Sequence, residues 1–357
     1  MNEFELKLTF PNDRLNDIEQ FLIAKGGTRR QKLQAFYFDT ETFALSRAGV
    51  ALRIRKEGRQ WIQTLKSSNS SQFERLEHNV PIQILGTAVP ALNIHLHQEH
   101  PAYKALIRAL REAKCDEKDL LIRYQTDIWR RPALVRARGA MLEYALDIGT
   151  IKAYLANGVE KQTAVCELEI ELKSGDQRAV INHAKSMVNR FHATIDTRSK
   201  AQRGYMAAQG RVSDSPTRAK KLSLPNQSDG AIASALLNSC LSQILPNASE
   251  INAGLESFDE HVHQLRVGLR RLKSAMKVLG LIHIYLSESD LKQLTLIFNQ
   301  LGHYRDLHFF DEKLKPALMA VNAPMMNLSS VQELPHPKSC LQTKEFQLFC
   351  LSIIELS

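Results

Sequence analysis

Along residues 3–205 short runs of period two alternate with turns and a few helical stretches. A half-buried strand turns apolar residues to the core and polar ones to water. The runs here carry unusually uniform charge on their polar faces. Glu3, Glu5 and Lys7 share one face of the first, opposite Phe4, Leu6 and Leu8. Arg53 and Arg55 lie opposite Leu52 and Ile54, Thr64 and Lys66 opposite Leu65, and Arg75 and Glu77 opposite Leu76. Further on, Glu143, Ala145 and Asp147 lie opposite Leu142, Tyr144 and Leu146. Glu167, Glu169 and Glu171 lie opposite Cys166, Leu168, Ile170 and Leu172. The pattern predicts strands, each with one apolar and one charged stripe.

After residue 205 the period changes. Residues 206–228 are polar, with two prolines and a Lys-Lys pair, and read as a linker. Helical spacing then predicts helices over 231–245, 257–283 and 288–302, before Pro335 and Pro337 interrupt the chain. The segment 346–356 is apolar but short. In the middle helix Val262, Leu265, Leu269, Leu272, Met276 and Leu279 form a core stripe. His263, Arg266, Arg270, Lys273 and Lys277 form a separate basic stripe, whose mutual repulsion a polyanion would relieve.

Charge sharpens this picture. The chain of 357 residues carries a formal +9. Residues 1–205 hold 32 Lys and Arg against 24 Asp and Glu, whereas residues 206–357 hold 15 against 14. The excess sits with the striped strands and fits either a generally basic surface or a concentrated anion site, between which charge alone does not choose. Three carboxylates in a row on one strand face repel one another unless a cation joins them. Acidic stripes facing basic ones suit a metal–polyphosphate complex, because hard cations take carboxylate oxygens and phosphates take Lys and Arg.

Other classes recede. The five cysteines are scattered and never spaced as CxxC, against a disulfide framework or zinc site and in favour of a reducing compartment. The N-terminus starts acidic without an apolar signal core, and no stretch is long enough for a membrane helix. Aromatic residues make up 7%, with no stacking motif for nucleic acid. Location in the cytoplasm is expected. His95, His97 and His100 have a spacing that suits a metal, but in a polar loop they read as an incidental cluster.

The order of motifs resembles the CYTH superfamily. Glu3-Phe4-Glu5-Leu6-Lys7 fits its opening ExExK. Tyr37-Phe38-Asp39, Leu52-Arg53-Ile54-Arg55, Thr64-Leu65-Lys66 and Arg75-Leu76-Glu77 resemble the elements that follow. Glu143 to Asp147 with Lys152, then Cys166 to Gly175, and then Ser199 to Tyr205 resemble the remaining ones. The helix around His263 to Ser274, with Leu301 to Leu307, resembles a CHAD domain, a module associated with polyphosphate. The second basic helix in the later half of that module has no counterpart here.

The resemblance implies an α+β chain: an N-terminal closed antiparallel barrel of eight strands with flanking helices, then an all-α bundle-like domain. It places a catalytic domain at 1–208, a linker at 209–229 and a partial CHAD-like domain at 230–357. It further implies hydrolysis of inorganic triphosphate with Mg²⁺ or Mn²⁺. The implied catalytic residues are Lys7, Glu77 and Lys200. Substrate would be held by Arg53, Arg55, Lys66, Arg75, Arg130, Lys152 and Arg203, with Arg136 or Arg138 as substitutes for Arg130. Metal would be held by Glu3, Glu5, Glu169 and Glu171, with Glu143, Asp147 and Glu167 as secondary candidates. His263, Arg266, Arg270 and Lys273 would meet polyphosphate. Adenylate cyclisation of the class IV type and thiamine triphosphate hydrolysis are the alternatives within the family. A polyphosphate-binding module without catalysis is the alternative outside enzymes.

Overall fold

The computed structural model describes the chain except residues 1, 69–73, 84–87, 138, 156–157, 223, 225–227, 255–257 and 324–334, and except the side chains of residues 2, 3, 68, 74 and 75. It falls into two compact units: Met1–Ala184 with Thr197–Asp214, and Lys185–Asp196 with Ser215–Ser357.

The first unit is built on antiparallel strands: β1 (Asn2–Thr9), β2 (Gln31–Asp39), β3 (Val50–Glu57), β4 (Gln60–Ser68), β5 (Glu74–Ile82), β6 (Leu121–Ala137), β7 (Ala140–Tyr154) and β8 (Glu160–Ser174). With the two-residue β9 (Thr194–Ile195) they form one sheet in the order β5-β4-β3-β2-β6-β7-β8-β1-β9. The sheet curls far enough for β1 to meet β5 as well, over Asn2–Phe4 against Glu74–Leu76. The expected closed ring of eight strands is thus corrected. Among the described residues the strands number nine, and β1 meets β5 only over Asn2–Phe4, so the sheet is not closed along its length.

Period-two alternation decides which face looks where. Leu52 and Leu65 point away from the concave side. They are fully buried with Leu45 of α2 (Ala44–Arg47) and with Leu106 and Leu110 of α3 (Ala102–Ala113). Leu6, Leu8, Leu168, Ile170, Leu142 and Leu146 are buried likewise. The apolar core therefore lies outside the curled sheet, and the charged stripes line its inside. Helix α1 (Leu15–Ala24) follows β1, and α4 (Arg178–Phe191) follows β8. Helix α5 (Lys200–Ala208), capped by the Ser199 hydroxyl on the Gln202 N–H, packs against β6, β7 and β8. Its approach requires Gly204, where a Cβ would lie 2.2 Å from the Tyr124 ring.

The second unit is helical: α6 (Asp229–Asn252), α7 (Asp259–Leu279), α8 (Glu288–Phe309), α9 (Lys315–Ala320), α10 (Pro337–Leu341) and α11 (Lys344–Leu356). All six residues of the predicted core stripe of α7 are buried. Helix α6 runs seven residues beyond the predicted end at 245 and continues through Pro246. Proline removes one backbone hydrogen bond there, but burial of Leu245, Ala248 and Ile251 outweighs that loss. Among the described residues no helix is long and apolar enough to cross a membrane.

Candidate active site

Strand register brings the charged stripes into rows. Glu5 of β1 pairs with Glu171 of β8, which pairs in turn with Glu143 of β7. One step along, Lys7 faces Glu169. One step further, Glu167 faces Asp147, which faces Arg130 of β6. Across the concavity, β3 and β4 contribute Arg53, Arg55 and Lys66, and β5 contributes Glu77 and Asn79. These residues enclose a cavity of about 400 Å³, to which the start of α5 adds Ser199, Lys200 and Ala201.

The carboxylates form two groups with different charge balance. In the first, the oxygens of Asp147, Glu167 and Glu169 lie within 4.8 Å of one another. Three cations meet them. Lys200 Nζ is 2.6 Å from Asp147 Oδ2 and 2.8 Å from Glu169 Oε1, and it also reaches Glu167. Arg130 is bidentate on Asp147 (2.7 and 2.6 Å) and donates to Glu169 at 2.6 Å. Arg203 pairs with Glu167. Burial by itself would raise Glu169 and Asp147, but Lys200 and Arg130 hold both below the ordinary carboxylate range. Burial likewise opposes the charge on Lys200, and Asp147, Glu167 and Glu169 override it, so the ammonium is held protonated.

The second group is Glu5, Glu143 and Glu171. Among the described residues its one paired cation is Lys173, 3.0 Å from Glu143 Oε2 and 2.6 Å from Glu171 Oε1. Two negative charges are left over. Here burial, joined by Glu143 and Glu5, outweighs Lys173 and pushes the Glu171 carboxyl up. The two groups lie on the same strands, yet one is neutralised by protein and the other is not.

On the basic side Arg53 donates to the Tyr37 hydroxyl at 3.2 Å, and Tyr37 stacks on Tyr124 with centroids 4.7 Å apart. Burial would raise the Tyr37 phenol, but Arg53, Lys200 and Arg55 bring it below its ordinary value. Arg55 pairs with Glu57, and Lys66 with Glu77. Burial and the neighbouring Arg53 charge lower Arg55 to about 10. Lys7 lines the cavity and donates to the Arg198 carbonyl.

Most expected residues therefore converge: Glu5, Lys7, Arg53, Arg55, Lys66, Glu77, Arg130, Glu143, Asp147, Glu169, Glu171 and Lys200 all line the cavity. Glu167 and Arg203 are buried with each other as partners and are not among the lining residues. Lys152 departs from expectation. Five residues after Asp147 on β7, it takes the opposite face by parity and does not line the cavity. The side chains of Glu3 and Arg75, and residue Arg138, lie outside the described residues. Lys173, Tyr37 and Asn79 were not anticipated. The first was legible as the next step of the Glu167–Glu169–Glu171 stripe.

Two expectations lie away from this cavity. On α7, His263 is half-buried while Arg270 and Lys273 are exposed. Arg266 and Arg270 sit over the Phe298 ring at 5.0 and 5.9 Å. His97 is not in open loop but wholly buried, its Nδ1 3.0 Å from that of His78.

The CHAD domain family matches residues 235–344. The inorganic triphosphatase of Haemophilus influenzae is 26% identical over 211 residues, 58% of this chain. The chain spans only about half the length of that relative, 55%. Among solved structures, a candidate adenylate cyclase from Bacillus halodurans is 18% identical, covers 53% of this chain and 89% of its own, and has a TM-score of 0.34. A Hippeastrum protein, described as a candidate adenylyl cyclase with dominant triphosphatase activity, is 18% identical, covers 59% and 97%, and has a TM-score of 0.37. The CYTH domain family matches residues 1–205, more than half of the chain, and the protein belongs to that family.

Proposed function

We propose that this chain hydrolyses inorganic triphosphate to diphosphate and phosphate with the help of Mg²⁺ or Mn²⁺. The observation that carries this reading is the division of one cavity into an acidic side with residual negative charge and a basic side. A receptor for anions alone has no use for the carboxylates of Glu5, Glu143 and Glu171. An oxygen-only donor set left with two negative charges suits a hard divalent cation. Glu5, Glu143 and Glu171 would hold it, with Glu169 beside them. The bound ion would offset phosphate charge and lower the pKa of a water molecule.

The remaining work falls to the chain itself. Arg53, Arg55 and Lys66 take phosphate oxygens, and their fixed charges stabilise the spread of charge in phosphoryl transfer. Tyr37 fixes the Arg53 guanidinium through its hydroxyl. Arg130, held by Asp147 and Glu169 through Nε and Nη2, keeps its Nη1 N–H groups for substrate without needing to move, whereas Lys200, whose three N–H bonds meet Asp147, Glu167 and Glu169, adds its charge at the cavity wall. Lys7 extends that side. In the second unit, the basic stripe of α7 is offered as a polyphosphate contact.

The test is phosphate release from tripolyphosphate, ATP and thiamine triphosphate, each with Mg²⁺, Mn²⁺ or EDTA. Metal-dependent release from tripolyphosphate well above the others, abolished by Glu5→Ala, supports the proposal. Cyclic AMP formed from ATP, or binding without release, would replace it with a cyclase or a receptor.

A further inference from the structure

Lys173 follows Glu171 by two residues on β8 and so shares its face of the sheet. Its ammonium lies between Glu171 and Glu143, on adjacent strands, at 2.6 and 3.0 Å. No other cation is paired with these carboxylates among the described residues. The contrast with Lys200 is informative. Lys200 has an 11% exposed side chain and meets three carboxylates. The side chain of Lys173 is 37% exposed and meets two. Solvent screening makes a half-exposed pair cheap to break, and a flexible four-carbon stem lets the ammonium withdraw toward water. A divalent ion brings twice the charge to the same oxygens.

We propose that the Lys173 ammonium is a built-in competitor for the divalent cation, resting on Glu143 and Glu171 until the ion displaces it and thereby setting the metal affinity. The inference rests on the reading of Glu5, Glu143 and Glu171 as the cation site. It assigns Lys173 a positioning role: it keeps the two carboxylates together and partly compensated while no ion is bound. Without it, three like charges on neighbouring strands face one another. The ion is thus admitted at the cost of one salt bridge, and the protein discriminates against weakly charged cations that cannot displace an ammonium.

The experiment is titration of the full chain with Mn²⁺ alone, following the free ion by its electron paramagnetic resonance signal. Lys173→Met removes the competitor, and Lys173→Arg keeps the charge. Lys173→Met is expected to bind Mn²⁺ roughly tenfold tighter at low ionic strength, while Lys173→Arg binds no tighter than the parent. Glu171→Gln is expected to weaken binding in the parent chain. Lys173→Gln repeats the first measurement with a polar side chain should the methionine variant fail to fold. Equal affinity in the parent and the neutral variants overturns the role of Lys173 and leaves the cation site standing. Absence of Mn²⁺ binding from the parent and every variant overturns the cation site and this inference with it.

Discussion

At the scale of single residues, the same side-chain type does different work according to what it faces. Lys7, Lys200 and Lys173 all sit on or beside β1, β7 and β8, yet their carboxylate partners differ. Lys200 compensates three buried carboxylates. Breaking a buried pair by removing one partner costs about 3–5 kcal/mol, so Lys200→Met should lower the free energy of unfolding in urea by that order as well as abolish turnover. Lys7 lies in the same cavity, and its removal does not strip a buried ion-pair group of its main cation. Lys7→Ala is therefore expected to reduce phosphate release by about 10²-fold or more, the usual effect of one lost charge-stabilising donor, with a melting temperature close to that of the parent. Near-normal turnover of Lys7→Ala would remove it from the catalytic set. The sequence placed Lys7 on a charged stripe and Lys200 in the closing motif of the family it resembles, but only the folded structure distinguished their partners.

At the scale of elements, the hairpin of β4 and β5 carries cavity residues on one face and a buried polar chain on the other. Lys66, Glu77 and Asn79 face the cavity. Gln63 and His78, of opposite parity, meet the 94–97 turn. The Asn93 N–H donates to Gln63 Oε1 at 3.1 Å, which orients the amide so that its nitrogen donates to Asn93 O (2.7 Å) and His97 Nε2 (3.0 Å). His97 therefore carries its proton on Nδ1, against His78 Nδ1 at 3.0 Å. His100 stacks on His78 with centroids 4.8 Å apart. A second proton on His97 would oppose the Gln63 amide hydrogens. Burial, then His78 and His100, lowers its pKa to about 4. The sign follows directly. The unfolded chain, with a histidine near 6.5, binds more protons between pH 6.5 and 4 than the folded one. The stability His97 contributes is complete above pH 6.5 and is lost as pH falls toward 4. Between pH 7 and 5 the loss should be roughly 1–2 kcal/mol. Urea unfolding at the two pH values, compared between the parent and His97→Gln, isolates it: the variant should show a shallower pH dependence. A second element-level contact is equally specific. Gly204→Val would drive a side chain into Tyr124 on β6, and a loss of several degrees in melting temperature is expected.

At the scale of the whole molecule, charge is segregated. The first 205 residues carry nearly all of the net +9, and seven of their basic residues, Lys7, Arg53, Arg55, Lys66, Arg130, Lys173 and Lys200, line one cavity. Such a field concentrates anions near the site and is screened by salt, with a Debye length of about 8 Å at 0.15 M. The KM for tripolyphosphate should therefore rise steeply with NaCl between 0.02 and about 0.3 M, while kcat, set by groups already in contact, changes less. A KM independent of ionic strength would mean that only the contact residues matter.

Much of the fold and site was legible because period-two alternation is a local property. Six charged stripes, each opposite an apolar one, were enough to place Glu5, Arg53, Lys66, Glu143 and Glu171 on one face of their strands, and the order of motifs matched one family. Helix positions in the second unit were legible from the 3.6 period, within the limits that burial imposes at Pro246. What the sequence left open were relations between distant segments. It could not tell that, among the described residues, Asp147, Glu167 and Glu169 already own three protein cations while Glu5, Glu143 and Glu171 own one. It missed the parity that turns Lys152 away, and the burial of His97 against a histidine 19 residues earlier. The physical reason is the same in each case. Alternation along a strand fixes which side a residue faces, but the partner it meets there depends on register between strands, which only the folded sheet decides.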